Sequence, residues 1–262
     1  TGVLDIQTNG TEIQMTKGGA ELMAKLVPDG AVTLYYDNAA KLATTSTGID
    51  VTGTAVTDGL TVAGNLSVDG GTIKLDGNFP TGTDNVALGN NTLSGGSFSG
   101  AGNIAIGDSV GSAITSGDNA VAIGRDALKG VYTGGDAIAI GRSALTALTS
   151  GNNNVAVGTF GLGANTTGGD NTAIGYAALG ENTTASDNTA VGSSALNANT
   201  TGTRNTSIGK DALKANTTAA DNTAVGYQAA YTNTTGTANT IVGHKAWYGG
   251  TGNYNSVFGH TA

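Results

Sequence analysis

The chain has 262 residues, of which 44 are Gly and 2 are Pro, and its content of charged residues is only 11%. Abundant Gly without Pro, together with 38% hydrophobic residues, indicates tight turns between short strands rather than collagen or disorder. The net charge of −8 argues against binding nucleic acid, the absence of Cys excludes disulfides, and no apolar run reaches the about 18 residues that membrane insertion needs.

Residues 1–80 are predicted to form a β-rich shaft or connector. Residues 3–8 and 11–16 alternate apolar and polar side chains, as strands do. Residues 20–26, AELMAKL, fit one or two helical turns that end before Gly30. Further short strands, separated by Gly turns, are expected at Ile49/Val51, Leu60/Val62, Leu66/Val68 and Ile73/Leu75. The predicted junction to the next domain is the segment NFPTG, residues 78–82.

Residues 81–262 are predicted to form a repeat domain. A Gly that follows an apolar residue recurs at spacings of 18, then 17 eight times, then 16. A fixed short period is the signature of a solenoid, in which each repeat stacks on the one before it. The eleven repeat glycines are Gly89, Gly107, Gly124, Gly141, Gly158, Gly175, Gly192, Gly209, Gly226, Gly243 and Gly259.

Each repeat reads N-T-A-V-G-x-x-A-L, followed by a polar loop. The segment before the Gly is predicted to be a short strand, and the segment after it a second short strand or extended stretch. Successive repeats would lie about 4.8 Å apart and be joined by parallel ladders. The predicted fold is therefore all-β, a β-solenoid or β-roll of eleven repeats of about 17 residues.

A column of leucines lies four residues after the repeat glycines. We expect these side chains to be too large for a thin interior that holds one Val or Ile and some Ala at each level. A long exposed apolar stripe is avoided by soluble monomers, which predicts burial between identical chains, most simply in a homotrimer. The predicted trimer-core residues are Leu93, Leu128, Leu145, Leu162, Leu179, Leu196 and Leu213.

These residues carry a resemblance to known repeats. The unit N-x-A-[VI]-G-x-x-A-L resembles the repeats in the heads of trimeric bacterial adhesins, which build a left-handed parallel β-roll. The NTTG loops, as at residues 165–168, are similar to bacteriophage tail-fibre repeats, and residues 1–80 resemble fibre shafts. The resemblance implies a non-catalytic, homotrimeric structural protein of a virion tail fibre. Its implied partners are other tail proteins and a host surface glycan or protein receptor.

Three alternatives remain open. The first is the head of a bacterial trimeric adhesin, located at the cell surface, and the second is a tailspike enzyme that cuts polysaccharide with a carboxylate pair. The third is an ice-binding solenoid with Thr columns such as Thr172, Thr189, Thr206, Thr223 and Thr240. Because the same column is aliphatic in earlier repeats, we expect it to face inward or to be partly covered, which disfavours ice binding.

No catalytic residue, cofactor site or metal site is predicted. An Asp column could supply paired acids or Ca²⁺ ligands, but Asp is also a common turn residue and no D-x-D-x-D-G loop occurs. His244 and His260 share a column that is variable and therefore predicted to be exposed. The N-T-T triplets match a glycosylation pattern but recur as loop residues. The Asp column comprises Asp84, Asp136, Asp170, Asp187 and Asp221.

Aromatic residues are concentrated near the end of the chain, where six of thirteen fall in the last 32 residues. Trp247 stands in the leucine column and Phe258 in the column before the Gly, so both are predicted to be buried. Tyr227, Tyr248 and Tyr254 fall on variable columns and are the predicted glycan or receptor contacts. Because the sequence stops in the middle of a repeat, we expect the natural protein to continue beyond Ala262.

Overall fold

The structure is a computed structural model, and it describes residues 10–17, 21–52, 84–94 and 99–261. The chain divides into two units, residues 1–71 and 72–262. The described residues form strands and turns and contain no helix, so none of them belongs to a helix that could cross a membrane. The all-β prediction is confirmed, whereas the predicted junction at residues 78–82 lies outside the described residues.

The first unit contains a five-stranded antiparallel sheet in which strands follow one another in sequence order. The strands predicted at residues 11–16 and at Ile49/Val51 are confirmed, while residues 3–8 and the later predicted pairs lie outside the described residues. The strands are β1 (Ile13–Lys17), β2 (Glu21–Leu26), β3 (Val32–Tyr36), β4 (Ala39–Thr44) and β5 (Ile49–Val51).

The helical turn predicted at residues 20–26 is wrong, because residues Glu21–Leu26 form strand β2. Leu26 pairs with Ile13 of β1 on one side and with Val32 of β3 on the other. Differences in intrinsic helix propensity between ordinary residues amount to about 0.7 kcal/mol per residue at most, so the preference of Ala, Leu, Met and Lys for a helix is weak. Pairing on both sides outweighs that preference.

The second unit contains an eleven-stranded parallel sheet, which confirms the predicted solenoid. Each strand has three residues and pairs residue for residue with the next, as Val155–Val157 pairs with Thr172–Ile174. The strands are β6 (Val86–Leu88), β7 (Ile104–Ile106), β8 (Val121–Ile123), β9 (Ile138–Ile140), β10 (Val155–Val157), β11 (Thr172–Ile174), β12 (Thr189–Val191), β13 (Thr206–Ile208), β14 (Thr223–Val225), β15 (Thr240–Val242) and β16 (Ser256–Phe258). We call the stretch from one repeat glycine to the next a coil.

Each coil contains one strand, not two. The residues after the glycine form hydrogen-bonded turns, with Ala178 N donating to Gly175 O at 3.4 Å and Asn182 N to Leu179 O at 3.1 Å. Ala177 and Leu179 have left-handed φ values of 51° and 50°. The turns still bond to the next coil, since Leu179 N donates to Ala195 O at 3.0 Å. The predicted second strand is thus replaced by a stack of turns.

The seven leucines are buried inside a single chain, each with 0% of its surface exposed. The expectation that Leu93, Leu128, Leu145, Leu162, Leu179, Leu196 and Leu213 need neighbouring chains to cover them is therefore wrong. The middle residue of most strands is Ala, as at Ala156, Ala173 and Ala190, and it also points inward. A small side chain on the strand side leaves room for a large one on the turn side, which fills the interior at ordinary packing density.

A buried asparagine ladder explains the Asn four residues before most repeat glycines. Asn188 Oδ1 accepts hydrogen bonds from the backbone N and Nδ2 of Asn205, at 3.0 and 3.2 Å. Asn188 Nδ2 donates to Gly202 O at 2.9 Å, in the loop of the next coil. Each amide thus satisfies backbone groups that the narrow strands leave without ladder partners.

The repeat glycines are required by two constraints at once. Gly175 has a φ of 136°, which side chains rarely adopt, and a Cβ there would lie 2.5 Å from Gly192 O of the next coil. The glycine therefore permits the chain to leave the strand while coils remain in close contact.

Candidate functional site

The outer surface of the parallel sheet is the first candidate interaction surface. The first and third residues of each strand point outward, and the middle one points inward. In strands β6 to β10 both outward residues are aliphatic, and Leu88 is 46% exposed. In strands β11 to β15 the first is Thr and the third is Val or Ile, with Ile174 42% exposed. We call these two outward columns the sheet face.

Phe258 belongs to the sheet face and is 69% exposed, so its predicted burial is wrong. It is the third residue of β16, where strand alternation directs it outward. Trp247 is half-buried and packs against the core, at the level where earlier coils place Leu.

The expectation that the strand threonines face inward or are partly covered holds in part: they do not face inward, and four of the five are partly covered. Thr172, Thr189, Thr206, Thr223 and Thr240 alternate with buried residues, and Thr240 is exposed while the other four are partly exposed. The loop threonines behave differently, since four of the five hydroxyls donate to the carbonyl of the equivalent residue in the next coil. Thr166 Oγ1 lies 3.0 Å from Thr183 O, for example. The same donation is made by Thr183, Thr200 and Thr217.

Four of the five asparagines of the N-T-T triplets form a second buried ladder, and Asn233 bonds within its own loop. Asn182 Nδ2 donates to Asn165 Oδ1 at 3.1 Å, and Asn199 Nδ2 donates to Asn182 Oδ1 at 2.9 Å. All five asparagines, Asn165, Asn182, Asn199, Asn216 and Asn233, are 0% exposed. These amides hold the loops together and are out of reach of a modifying enzyme in the folded protein.

The aspartates of the predicted Asp column stand at left-handed turn positions. Asp84, Asp136, Asp170, Asp187 and Asp221 have φ values between 57° and 64°. Asp tolerates this conformation better than most residues, which accounts for its recurrence. The described residues contain no group of three or more His, Cys, Asp or Glu that could hold a metal ion.

One aspartate of this column forms a two-point ion pair with the preceding coil. Arg204 Nε and Nη2 donate to the Asp221 oxygens at 2.7 and 3.0 Å. These hydrogen bonds lower the pKa of the Asp221 carboxyl below its usual value. Both side chains are about half exposed, so the pair is a surface contact.

The three predicted glycan-contact tyrosines are exposed, but they do not form one site. The Tyr227 ring stacks on His244 at 5.2 Å, and His244 stacks on His260 at 4.7 Å. Tyr248 stacks on Tyr231 at 5.0 Å. Tyr254 is 83% exposed, and no ring contact within the described residues joins it to either stack. Tyr248 also lines a groove of about 260 Å³ with Lys245, Gly249 and Thr261.

A larger groove of about 530 Å³ lies elsewhere on the solenoid, and sequence reasoning missed it. Phe160 and Tyr176 contribute its aromatic side chains, and their rings meet edge to face at 6.3 Å. Glu181, Asn197 and Lys214 contribute its polar groups. The available signal was Phe160, which stands where most other coils carry a small or polar residue such as Ser143 or Ser194.

No protein-family model matches the chain, and comparisons with curated proteins and with solved structures find no match to it.

Proposed function

We propose that the chain is a non-catalytic structural segment of a bacteriophage tail fibre that assembles as a homotrimer and serves host attachment. The proposal rests on the repeat unit and its resemblance to fibre and adhesin repeats. It places the protein in the virion tail, where it contacts other tail proteins and a host surface glycan or protein. The bacterial adhesin head shares the same architecture and differs in location, at the cell surface.

The sheet face is the observation that carries the proposal. It presents an unbroken column of Leu, Ile, Val and Phe from Leu88 to Phe258, doubled by a second aliphatic column in strands β6 to β10. A single chain does not cover this column, since Leu88, Ile174 and Ile208 are 46%, 42% and 41% exposed. Soluble monomers avoid long apolar strips, and three identical strips around one axis would cover each other.

The assembly is tested by measuring the mass of the chain in solution. Light scattering should give about three times 25.5 kDa for the natural sequence. Ile174→Asp should reduce the mass to that of one chain, because carboxylates would meet at the shared face. Val131→Asp is the matched control, since Val131 is an apolar residue 55% exposed on a loop outside the sheet face.

A natural chain that stays monomeric at micromolar concentration would overturn the homotrimer. Attachment is a separate measurement, in which labelled protein is mixed with intact bacteria from a panel of strains and bound protein is counted. Adsorption to some strains and not to others is expected of a fibre, and adsorption to none would overturn the attachment role.

Ice binding is a second candidate that one observation favours. The five strand threonines face outward beside a Val or Ile column, in a register held residue for residue by the parallel ladder. This candidate uses the same face, which must then be free in solution. Thermal hysteresis of a monomeric sample would favour ice binding, and a monomeric sample without it would exclude ice binding.

A further inference from the structure

We infer that the larger groove is a binding site for a neutral carbohydrate chain of the host surface. The inference rests on the proposed attachment function and specifies where, and to what chemistry, the solenoid binds. None of the residues that line the groove belongs to the sheet face, so the groove stays available if that face is covered by other chains.

Two glycines create the groove. The position five residues after the repeat glycine carries Lys129, Thr146, Asn197 and Lys214 in other coils, but it carries Gly163 and Gly180 in two successive coils. Gly163 adds no side chain there, and Gly180 admits Asn197, whose Nδ2 lies 2.7 Å from where a Cβ would stand; the resulting depression runs from Thr146 to Lys214. It crosses five coils, which corresponds to about 19 Å along the solenoid. This length suits a chain of several sugar rings better than a single sugar.

The aromatic side chains of the groove are partly exposed, although the Arg142 guanidinium lies 4.6 Å from the Phe160 ring centroid and covers part of that ring. Tyr176 is 56% exposed and Phe160 is 37% exposed. Phe160 also has a φ of 61°, a conformation that is unusual for a bulky side chain. Aromatic faces carry a negative quadrupole that attracts the C–H groups of a pyranose ring. Ring contacts of this kind need no charge on the ligand.

Fixed polar groups surround the aromatic side chains. Asn197 Nδ2 donates to Ala177 O at 2.9 Å, which orients the amide and leaves Oδ1 as an acceptor. Lys214 Nζ is held by Asp211 at 3.0 Å. The Glu181 carboxylate is exposed, and no ion pair joins it to another described residue. Acceptors and a donor at the rim of an aromatic platform match the hydroxyl groups around a sugar ring.

The charge of the groove selects for a neutral ligand. Its formally charged lining residues are Glu181 and Lys214, which balance each other, while the whole chain carries −8. An acidic polysaccharide would be repelled by the chain as a whole and would gain little from a single lysine already paired with Asp211. The lining also contains one carboxylate, whereas most glycoside hydrolases use two, so the groove is suited to binding the glycan.

The experiment measures binding of the natural chain to an array of neutral and acidic bacterial polysaccharides, followed by titration calorimetry with the neutral ones that bind. Gly163→Lys should fill the groove without loss of fold, because Lys129 and Lys214 occupy the same position in other coils. Tyr176→Ala and Phe160→Ser should each weaken binding at least about tenfold, as removal of a central aromatic contact does. Tyr227→Ala tests the competing site at the terminal aromatic stacks, since Tyr227 shares the column of Tyr176 but lies outside the groove.

Neutral polysaccharides that bind the natural chain and the Tyr227→Ala variant, but not the three groove variants, would support the inference. Equal binding by the groove variants would overturn it. Loss of binding in Tyr227→Ala instead would also overturn it and move the site to the terminal aromatic stacks. Binding of acidic polysaccharides alone would overturn the neutral class. Adsorption to whole bacteria is measured in parallel. It shows whether the chain still attaches to bacteria when the proposed groove site is overturned.

Discussion

The coils before Gly158 and the coils from Gly158 onward have the same strand and turn arrangement but differ in side-chain chemistry. In the earlier coils the first outward strand residue is aliphatic, as at Ile138, and the loop buries Ile114, Tyr132 or Leu148. In the later coils up to Gly243 the outward residue is Thr and the loop buries an Asn such as Asn182, whereas the last coil carries Ser256 and Gly250 at these positions. We call them the aliphatic coils and the threonine coils.

Both changes occur in the same coil, which begins at Gly158 and contains Asn165 and Thr172. An apolar loop residue contributes whether or not its neighbours are apolar. A buried amide contributes only when its donors and acceptor find partners, because an unpaired buried amide is costly. Bonds between coils therefore favour a run of loop asparagines over scattered ones, and such bonds link Asn165 through Asn216. Asn216 Oδ1 has no partner among the described atoms, and Asn233 bonds to Gly236 of its own loop.

The largest predicted effect concerns the buried leucine column, which both kinds of coil have. Leu145 lies in an aliphatic coil and Leu196 in a threonine coil, and both are 0% exposed. Leu145→Asp and Leu196→Asp should each lower the free energy of unfolding by more than about 4 kcal/mol, because each buries an unpaired charge. Urea unfolding followed by circular dichroism measures this loss.

The two substitutions should have similar effects, since the leucine column does not distinguish the two kinds of coil. A folded Leu196→Asp variant that has only lost its association with other chains would show that the leucine column lies between chains after all. Ile174→Asp is the control with the opposite expectation, namely lost association with the fold retained.

The next prediction concerns the ladder of the threonine coils. Asn188→Ala removes the acceptor of Asn205 N and the donor to Gly202 O, both buried. Each unpaired group costs about 1–3 kcal/mol, so the substitution should destabilise the protein by about 3 kcal/mol. Asn255→Ala, at the half-buried end of the same ladder, should cost less than half as much, because no hydrogen bond among the described residues uses its Oδ1.

Alanine at this ladder position is tolerated in the aliphatic coils, at Ala120 and Ala137, which are buried there. An Asn188→Ala variant as stable as the natural protein would mean that Ala fits the ladder position equally well in both kinds of coil. The proposed difference between the two regions would then be wrong. The comparison is made from urea midpoints at one protein concentration, because solenoid coils need not unfold in a single step.

The sequence predicted the features that depend on periodicity and missed those that depend on which side chains are buried and which neighbours they have in space. The repeat glycines gave the register and the strands, because backbone contact between coils permits little but Gly there. The location of the leucines could not be derived, because the turn-side backbone that admits them has left-handed residues such as Leu179 that no propensity favours. The groove was missed because two glycines, Gly163 and Gly180, are informative only beside their neighbours in space.

A smaller effect is expected at Tyr132, in an aliphatic coil. Its ring is fully buried, and among the described atoms its hydroxyl has no hydrogen-bond partner. Tyr132→Phe should therefore raise the free energy of unfolding by about 1 kcal/mol. Tyr231→Phe, on a partly exposed ring, is the control and should change little. A destabilised Tyr132→Phe variant would mean that the hydroxyl is bonded in the folded protein.

Burial also raises the pKa of Tyr132, with smaller contributions from Asp136 and Asp118. The unfolded tyrosine ionises at about pH 10, whereas the buried one resists ionisation, so ionisation favours the unfolded state above that pH and the natural protein loses stability. The stability difference between the natural protein and Tyr132→Phe should accordingly widen as the pH rises above about 10.

The smallest predicted effect concerns the ion pair between two threonine coils. Asp221→Asn keeps a residue suited to the left-handed turn, because Asn119 and Asn153 occupy the same column with φ values of 54° and 56°. The substitution removes only the charge that Arg204 binds, so it should destabilise the protein slightly at pH 7 and less at high salt. Since Arg204 lowers the pKa of Asp221 in the folded state, the stabilisation is present above the ordinary carboxyl pKa and disappears as the pH falls through the lowered value.

Asp136→Asn, in an aliphatic coil and without an ion pair among the described residues, should show no such dependence on pH or salt. Thermal midpoints of the three proteins between pH 7 and pH 2 measure the difference. A pH-independent loss in Asp221→Asn would assign the effect to turn geometry instead of charge.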